Sequence, residues 1–305
     1  MAAVSWCATA NPPCSTDPVE PTHGRLPLSL VEPTHGRLPR EKQSIMDRLY
    51  PPHPNASLQQ MNATLNKIAL VTGATRGIGT ETVRQLAQAG VHTLLAGRNR
   101  ATAVDVALKL QAEGLPVEAI ELDVTDAASI AAAVEQVRQR HGHLDILVNN
   151  AGIVLDDLSL APSQQTLDTW RDTFDTNLFA VVAVTQAFLP LLRESAAARI
   201  VNVSSLLGSV SLHTQPGSPI YDFKVPAYNV SKSAVNAWTA QLAYELRDTT
   251  HKVNAVHPGY VKTDMNRGEG EVEVAVGAQS SVQMALLDAD GPNGSFTYLG
   301  EVLPW

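Results

Sequence analysis

Cysteine is nearly absent from this 305-residue chain, and where it occurs is informative. Cys7 and Cys14 both fall in the first 14 residues. Thiol catalysis, a zinc knuckle and a disulfide framework are therefore excluded from everything that follows. Basic residues are also in short supply, with 22 Lys and Arg against 30 Asp and Glu and a formal net charge of -8. An acidic balance argues against a nucleic-acid-binding surface and gives no attraction to anionic membranes. No apolar run approaches the ~20 residues of a membrane span. The longest, Leu178 to Leu192, is interrupted by Thr185, Gln186 and Pro190.

Proline is abundant only at the start. Residues 1–60 hold 10 of the 19 prolines and a duplicated nonapeptide, Val19 to Pro27 and Val31 to Pro39. Two polar copies are too few for a solenoid, and proline at this density opposes helix and central strand alike. This segment reads as a disordered leader or an over-extended start. Residues 61–305 read as the folded domain. A secretory signal fits poorly because no basic region opens the chain.

The pattern changes at Ile68. Ile68 to Val71 is a short, wholly apolar run, as expected of a strand buried on both faces. Thr72-Gly-Ala-Thr-Arg-Gly-Ile-Gly79 follows, and then a helical pattern through Val83, Leu86 and Ala87. A strand, a glycine-rich turn and a helix N-terminus form an anion site, because free N–H groups and the helix dipole face the ligand.

Alternation continues to the end. Strands are expected at 92–97, 117–122, 144–149, 199–204, 252–256 and 295–300. Helices are expected at 100–113, 127–140, about 165–193, 227–247 and 274–287. Strands separated by helix-length patterns mean right-handed crossovers and an α/β fold, a doubly wound parallel sheet of seven strands in one domain. Ligand groups in such a sheet gather at strand C-termini. Asp123, Asn149-Asn150-Ala151-Gly152 and Ser204-Ser205 fall there.

One further pair carries chemistry. Tyr228 and Lys232 are four residues apart on the 227–247 helix, hence on one face. A tyrosine titrates near pH ~10, and a neighbouring ammonium favours its phenolate, bringing the pKa toward the working range. Alone, the pair is as readily an exposed couple on an amphipathic helix.

Taken together, TGATRGIG, LDVTD, NNAG, Asn177 in Phe174-Asp-Thr-Asn177, IVNVSS, YNVSK and HPGYVKT resemble the short-chain dehydrogenase/reductase family, over about residues 66–303. The resemblance implies a Rossmann-type fold of the single-domain branch. It implies that Tyr228 is the general acid or base, that Lys232 lowers its pKa and binds the nicotinamide ribose, and that Ser205 holds the substrate oxygen. Asn177 would anchor a water linking Lys232 to solvent. Cofactor contacts would come from Gly73, Thr75, Arg76, Gly77, Ile78 and Gly79, from Asp123 and Val124 at the adenine, from Asn150, Ala151 and Gly152, and from Pro258, Gly259, Val261 and Thr263 at the nicotinamide end. The extended relatives use G-x-x-G-x-x-G, which positions 73–79 do not match. Enoyl-reductase-type relatives place the tyrosine seven residues before the lysine, where this chain has Val225.

The 22 residues between Ser205 and Tyr228 exceed the family's usual spacing. The extra segment, Leu212 to Lys224, is expected as a loop over the site. It resembles that of carbonyl-reductase-like members, some of which are monomers, and monomer and homo-oligomer both stay open. His213, Tyr221 and Phe223 are candidate substrate contacts. The strand at 92–97 ends in Arg98-Asn99-Arg100, without the carboxylate that repels a 2′-phosphate. Arg98 and Arg76 would bind that phosphate, so the expected cofactor is NADP(H). The expected activity is reduction of a ketone or aldehyde, or the reverse, in the cytoplasm and without a metal. The alternatives are an NAD-linked alcohol dehydrogenase and a non-catalytic dinucleotide sensor.

Overall fold

The structure, a computed structural model, describes residues 67–305. The leader expected at residues 1–60 lies outside them. Strands β1 (Ile68–Val71), β2 (His92–Gly97), β3 (Val117–Glu121), β4 (Ile146–Asn149), β5 (Arg199–Val203), β6 (Lys252–Val256), β7 (Phe296–Tyr298) and β8 (Glu301–Val302) form one sheet. Their order is β3-β2-β1-β4-β5-β6-β7-β8, parallel except for the β7–β8 pair. The sheet is thus the expected doubly wound one, with an eighth strand added. Strand 295–300 was expected to run straight to Gly300. Instead Leu299 (φ 47°) and Gly300 (φ 87°) are both left-handed, the geometry of a tight hairpin, and fold β8 back on β7.

Alternate strand residues feed two cores, as period-two side-chain direction requires. Ile68, Leu70, Leu94, Leu147, Ile200 and Val253 face helices α3 (Ala127–His141), α5 (Ala180–Arg193) and α7 (Pro226–Glu245). Ala69, Val71, Leu95, Val148, Val201 and Val256 face α1 (Gly77–Gln88), α2 (Arg100–Ala112) and α8 (Val274–Ala285). Both faces are covered, so the strands are largely apolar.

The long helix expected at 165–193 is interrupted. Thr166 caps α4 (Leu167–Phe174), a π-turn follows at Asp175–Phe179, and α5 resumes at Ala180. Leu167–Arg193 is long and apolar enough to cross a membrane, with a mean hydropathy of 1.4 in its most apolar stretch. In this fold Val184, Phe188, Leu191 and Leu192 of that stretch pack into the core. Pro190 lies within α5 on its exposed side and does not end it.

The segment at 212–224 is not wholly irregular, since Ser209 caps a short helix, α6 (Val210–Thr214). The Trp305 carbonyl accepts hydrogen bonds from the Ser211 amide and hydroxyl and from Ser209, tying this segment to the C-terminus.

Candidate active site

The sheet order reverses direction between β1 and β4, and the crevice at their carboxyl ends is where such folds bind ligands. The glycine-rich turn fits a pyrophosphate. Gly73 (φ 60°) and Gly77 (φ 55°) are left-handed, a conformation costly for any side chain. A Cβ on Gly79 would lie 2.6 Å from the Gly73 carbonyl, so the turn closes only on glycine. Helix α1 starts after extended Arg76 with no side-chain cap, and its first N–H groups face outward for an anion. Thr75 packs against the end of β2, where a Cβ on Gly97 would meet its methyl at 2.4 Å.

The NNAG segment holds this turn. Asn150 donates to the Thr72 and Gly73 carbonyls at 2.9 and 3.2 Å, while Thr72 Oγ1 accepts from the Asn150 and Ala151 amides. Asn149 is buried and donates to Thr185 and Asn202, and Asn202 donates to Thr239, a polar ladder from α5 through β4 and β5 to α7. Each member is satisfied, as burial demands.

The catalytic candidates converge at the first two turns of α7. The Tyr228 phenol lies beside the Ser205 hydroxyl. Lys232 is buried, its Nζ 5.6 Å from the Tyr228 ring centre and donating to the Val203 carbonyl at 2.9 Å. Gly152 faces the same point, and a Cβ there would stand 3.4 Å from Lys232 Nζ and 3.4 Å from Asn177 Oδ1. Asn177 sits in the π-turn, fully buried. Its amide group pairs with both backbone groups of Ile153, at 2.8 and 2.9 Å, and donates to Ser231 at 3.0 Å. The π-turn aims this side chain inward, a use typical of such bulges at functional sites.

The expected electrostatics need correction for the cofactor-free protein. Lys232 was expected to lower the Tyr228 pKa. Burial instead pushes the phenol up to about 12, opposed by the neighbouring Ser205 hydroxyl, and burial draws the Lys232 ammonium down to about 8. Desolvation penalises the charged form of each group.

At the adenosine end, Asp123 accepts from the Thr125 amide and hydroxyl. Those bonds, with Arg98 nearby, hold its carboxyl below the usual range. Val124 packs against the core beside it. Arg98 is exposed just past β2. Arg76 lies across the turn in an exposed 3.5 Å ion pair with Asp264, so the two arginines are not equally free. On the far side, Gly259 (φ 92°) follows Pro258, Val261 is buried, and the Thr263 methyl stands 3.5 Å from a Cβ built on Gly77.

Two of the loop candidates serve structure. His213 Nε2 hydrogen-bonds the Leu207 carbonyl at 2.9 Å and its Nδ1 meets Lys224, while Lys224 Nζ lies 5.3 Å from the Tyr221 ring centre. Phe223 remains 49% exposed.

Sequence reasoning missed Asp156 and His257. Asp156 accepts from the Ala227 and Tyr228 amides at 2.8 and 3.0 Å. Helix α7 opens Val225-Pro226, with no capping side chain of its own. That lack was the available signal that the cap must come from elsewhere. His257 Nδ1 accepts from the Leu206 amide, and burial draws this imidazole down to about 4, keeping it neutral.

A switch-point crevice with an uncapped glycine-rich helix start and a clustered Tyr–Ser–Lys group defines a Rossmann-type oxidoreductase site. Residues 67–273 match the short chain dehydrogenase family, and the chain belongs to it. Short-chain dehydrogenase/reductase 1 of Saponaria officinalis is 33% identical, the match covering 78% of this chain and 96% of that protein. (+)-Neomenthol dehydrogenase of Capsicum annuum is 31% identical, covering 78% and 98%. Among solved structures, NADPH-bound carbonyl reductase from chicken fatty liver superposes with a TM-score of 0.69 at 30% identity, covering 78% of this chain and 99% of that one. Salutaridine reductase from Papaver somniferum gives 0.66 at 30%, covering 75% and 99%. The family's members are oxidoreductases of carbonyl and alcohol substrates that use a nicotinamide dinucleotide.

Proposed function

We propose that this protein is a cytoplasmic NADPH-dependent reductase of a ketone or aldehyde. The observation that carries the reading is the group at the start of α7, in which Tyr228 lies beside Ser205 and 5.6 Å from the Nζ of buried Lys232. The bound dinucleotide supplies the hydride. Ser205 and Tyr228 hold the substrate oxygen between their hydroxyls, and Tyr228 gives its proton to the oxygen as negative charge develops there. Lys232, which donates to the Val203 carbonyl, would hold the ribose and favour the phenolate left behind. The Asn177 side chain holds Ile153 and Ser231 behind this pair.

Cofactor choice follows from the end of β2. Arg98 is exposed where a carboxylate would repel a 2′-phosphate, and NADPH occupies the chicken carbonyl reductase neighbour. Arg98 makes the first phosphate contact, and Arg76 exchanges Asp264 for the phosphate. An exposed ion pair of this kind is worth only about 0–1 kcal/mol, so the exchange is easy. The substrate has a sizeable apolar body, because the loops leaving β4, β5 and β6 expose Leu155, Leu158, Phe223, Tyr260 and Met265.

Consumption of NADPH and of NADH across a panel of ketones, aldehydes and quinones tests this. Turnover with NADPH that favours apolar ketones or aldehydes is expected. Preference for NADH in kcat/KM refutes the cofactor assignment, and activity unchanged in Tyr228→Phe refutes the mechanism.

A further inference from the structure

At the opposite end of the sheet, far along the strands from the glycine-rich turn, three metal-ligand side chains meet. The parallel register sets Leu94 of β2 opposite Glu118 of β3. His92 lies two residues before Leu94, on the same face, so His92 and Glu118 project together. Helix α3 packs on that face through Ile130, Val134 and Val137. Its last residue, His141, reaches the same point.

The donor atoms converge. Glu118 Oε2 is 3.6 Å from His92 Nε2 and 3.5 Å from His141 Nε2, and all three lie within 4.8 Å of one another. A tetrahedral zinc with bonds of ~2.0–2.1 Å has ligand-to-ligand edges of about 3.4 Å. Two edges of this triangle already approach that length. Both Nε2 atoms are buried without a hydrogen-bond partner of normal geometry, an unfavourable arrangement for a polar atom on its own. Arg140 binds the other carboxylate oxygen, Oε1, and leaves Oε2 to the imidazoles.

We infer that His92, Glu118 and His141 form a structural binding site for Zn2+ or a similar borderline divalent cation. Two imidazoles and one carboxylate suit zinc, whereas Mg2+ and Ca2+ take oxygen donors. Arg140 serves as the outer partner that orients Glu118. The ion would tie β2, β3 and the end of α3 together, with water as fourth ligand, and takes no part in the chemistry at Tyr228.

The test is zinc binding by the full chain after chelator treatment, compared with His92→Gln/His141→Gln. Cys7, Cys14 and histidines 23, 35 and 53 belong to the same chain, so the difference between the two proteins is the readout. Wild type should bind one equivalent more than the double variant. Its thermal midpoint should rise by roughly 5–10 °C at a hundredfold excess of Zn2+ over Kd, an excess that shifts the folding equilibrium about a hundredfold. Glu118→Gln should weaken that equivalent at least about tenfold. Equal stoichiometry in wild type and double variant, or an equal rise with Mg2+, overturns the site. Should the variants misfold, zinc-edge X-ray absorption of the wild type decides. Two imidazoles and oxygen without sulfur support the site, and sulfur or all-oxygen ligation overturns it.

Discussion

Asp156 offers a direct test of how the fold places the catalytic tyrosine. The first turn of α7 contains Pro226, which has no N–H, then Ala227 and Tyr228, whose N–H groups both bond Asp156, and then Asn229, which bonds the Val225 carbonyl. One carboxylate 71 residues away therefore satisfies every free donor of that turn. Asp156→Ala leaves two N–H groups without it and removes an anion from the positive end of the helix. Cap deletion costs about 0.5–2 kcal/mol and the dipole adds about 0.3–1. Because Asp156 is only half-buried and water can replace part of it, about 2 kcal/mol is expected. For a domain of this size that lowers Tm by roughly 4–8 °C. Asp156→Asn keeps one acceptor and should lose about half as much. Since the freed turn carries Tyr228, kcat should fall roughly tenfold or more while KM changes little. Thermal unfolding and steady-state kinetics on the same samples measure both. A Tm within about 1 °C of wild type and unchanged kcat in Asp156→Ala would refute the capping argument.

Tyr228→Phe should lower kcat by roughly 10²-fold or more while NADPH binding, followed by fluorescence, persists. Arg98→Asp should cost NADPH binding and spare or improve NADH, and an unchanged ratio of the two kcat/KM values would count against Arg98. Lys232 titrates at about 8 when folded, against 10.5 unperturbed. Between those values the unfolded chain binds more protons, so denaturant stability of the cofactor-free protein should rise with pH over that window. Lys232→Met should abolish the rise, and a slope that survives it would show that another group is responsible.

Periodicity carried the parallel strands, because strands covered on both faces are largely apolar and the helices between them amphipathic. The motifs likewise named the residues that meet at the crevice, since glycines at 73, 77 and 79 and a tyrosine four residues before a lysine are chemically constrained spacings. Other features were decided only in three dimensions. On α7 the apolar Val230 is 45% exposed while Asn229, Ser231 and Lys232 are buried. Partners far along the chain, namely Asn177 and Val203, satisfy Ser231 and Lys232, and no local pattern records them. The π-turn that buries Asn177, the cap from Asp156 and the meeting of His92, Glu118 and His141 share this origin. Each rests on contacts between segments at least 22 residues apart, and a side chain's burial or pKa is set by those neighbours.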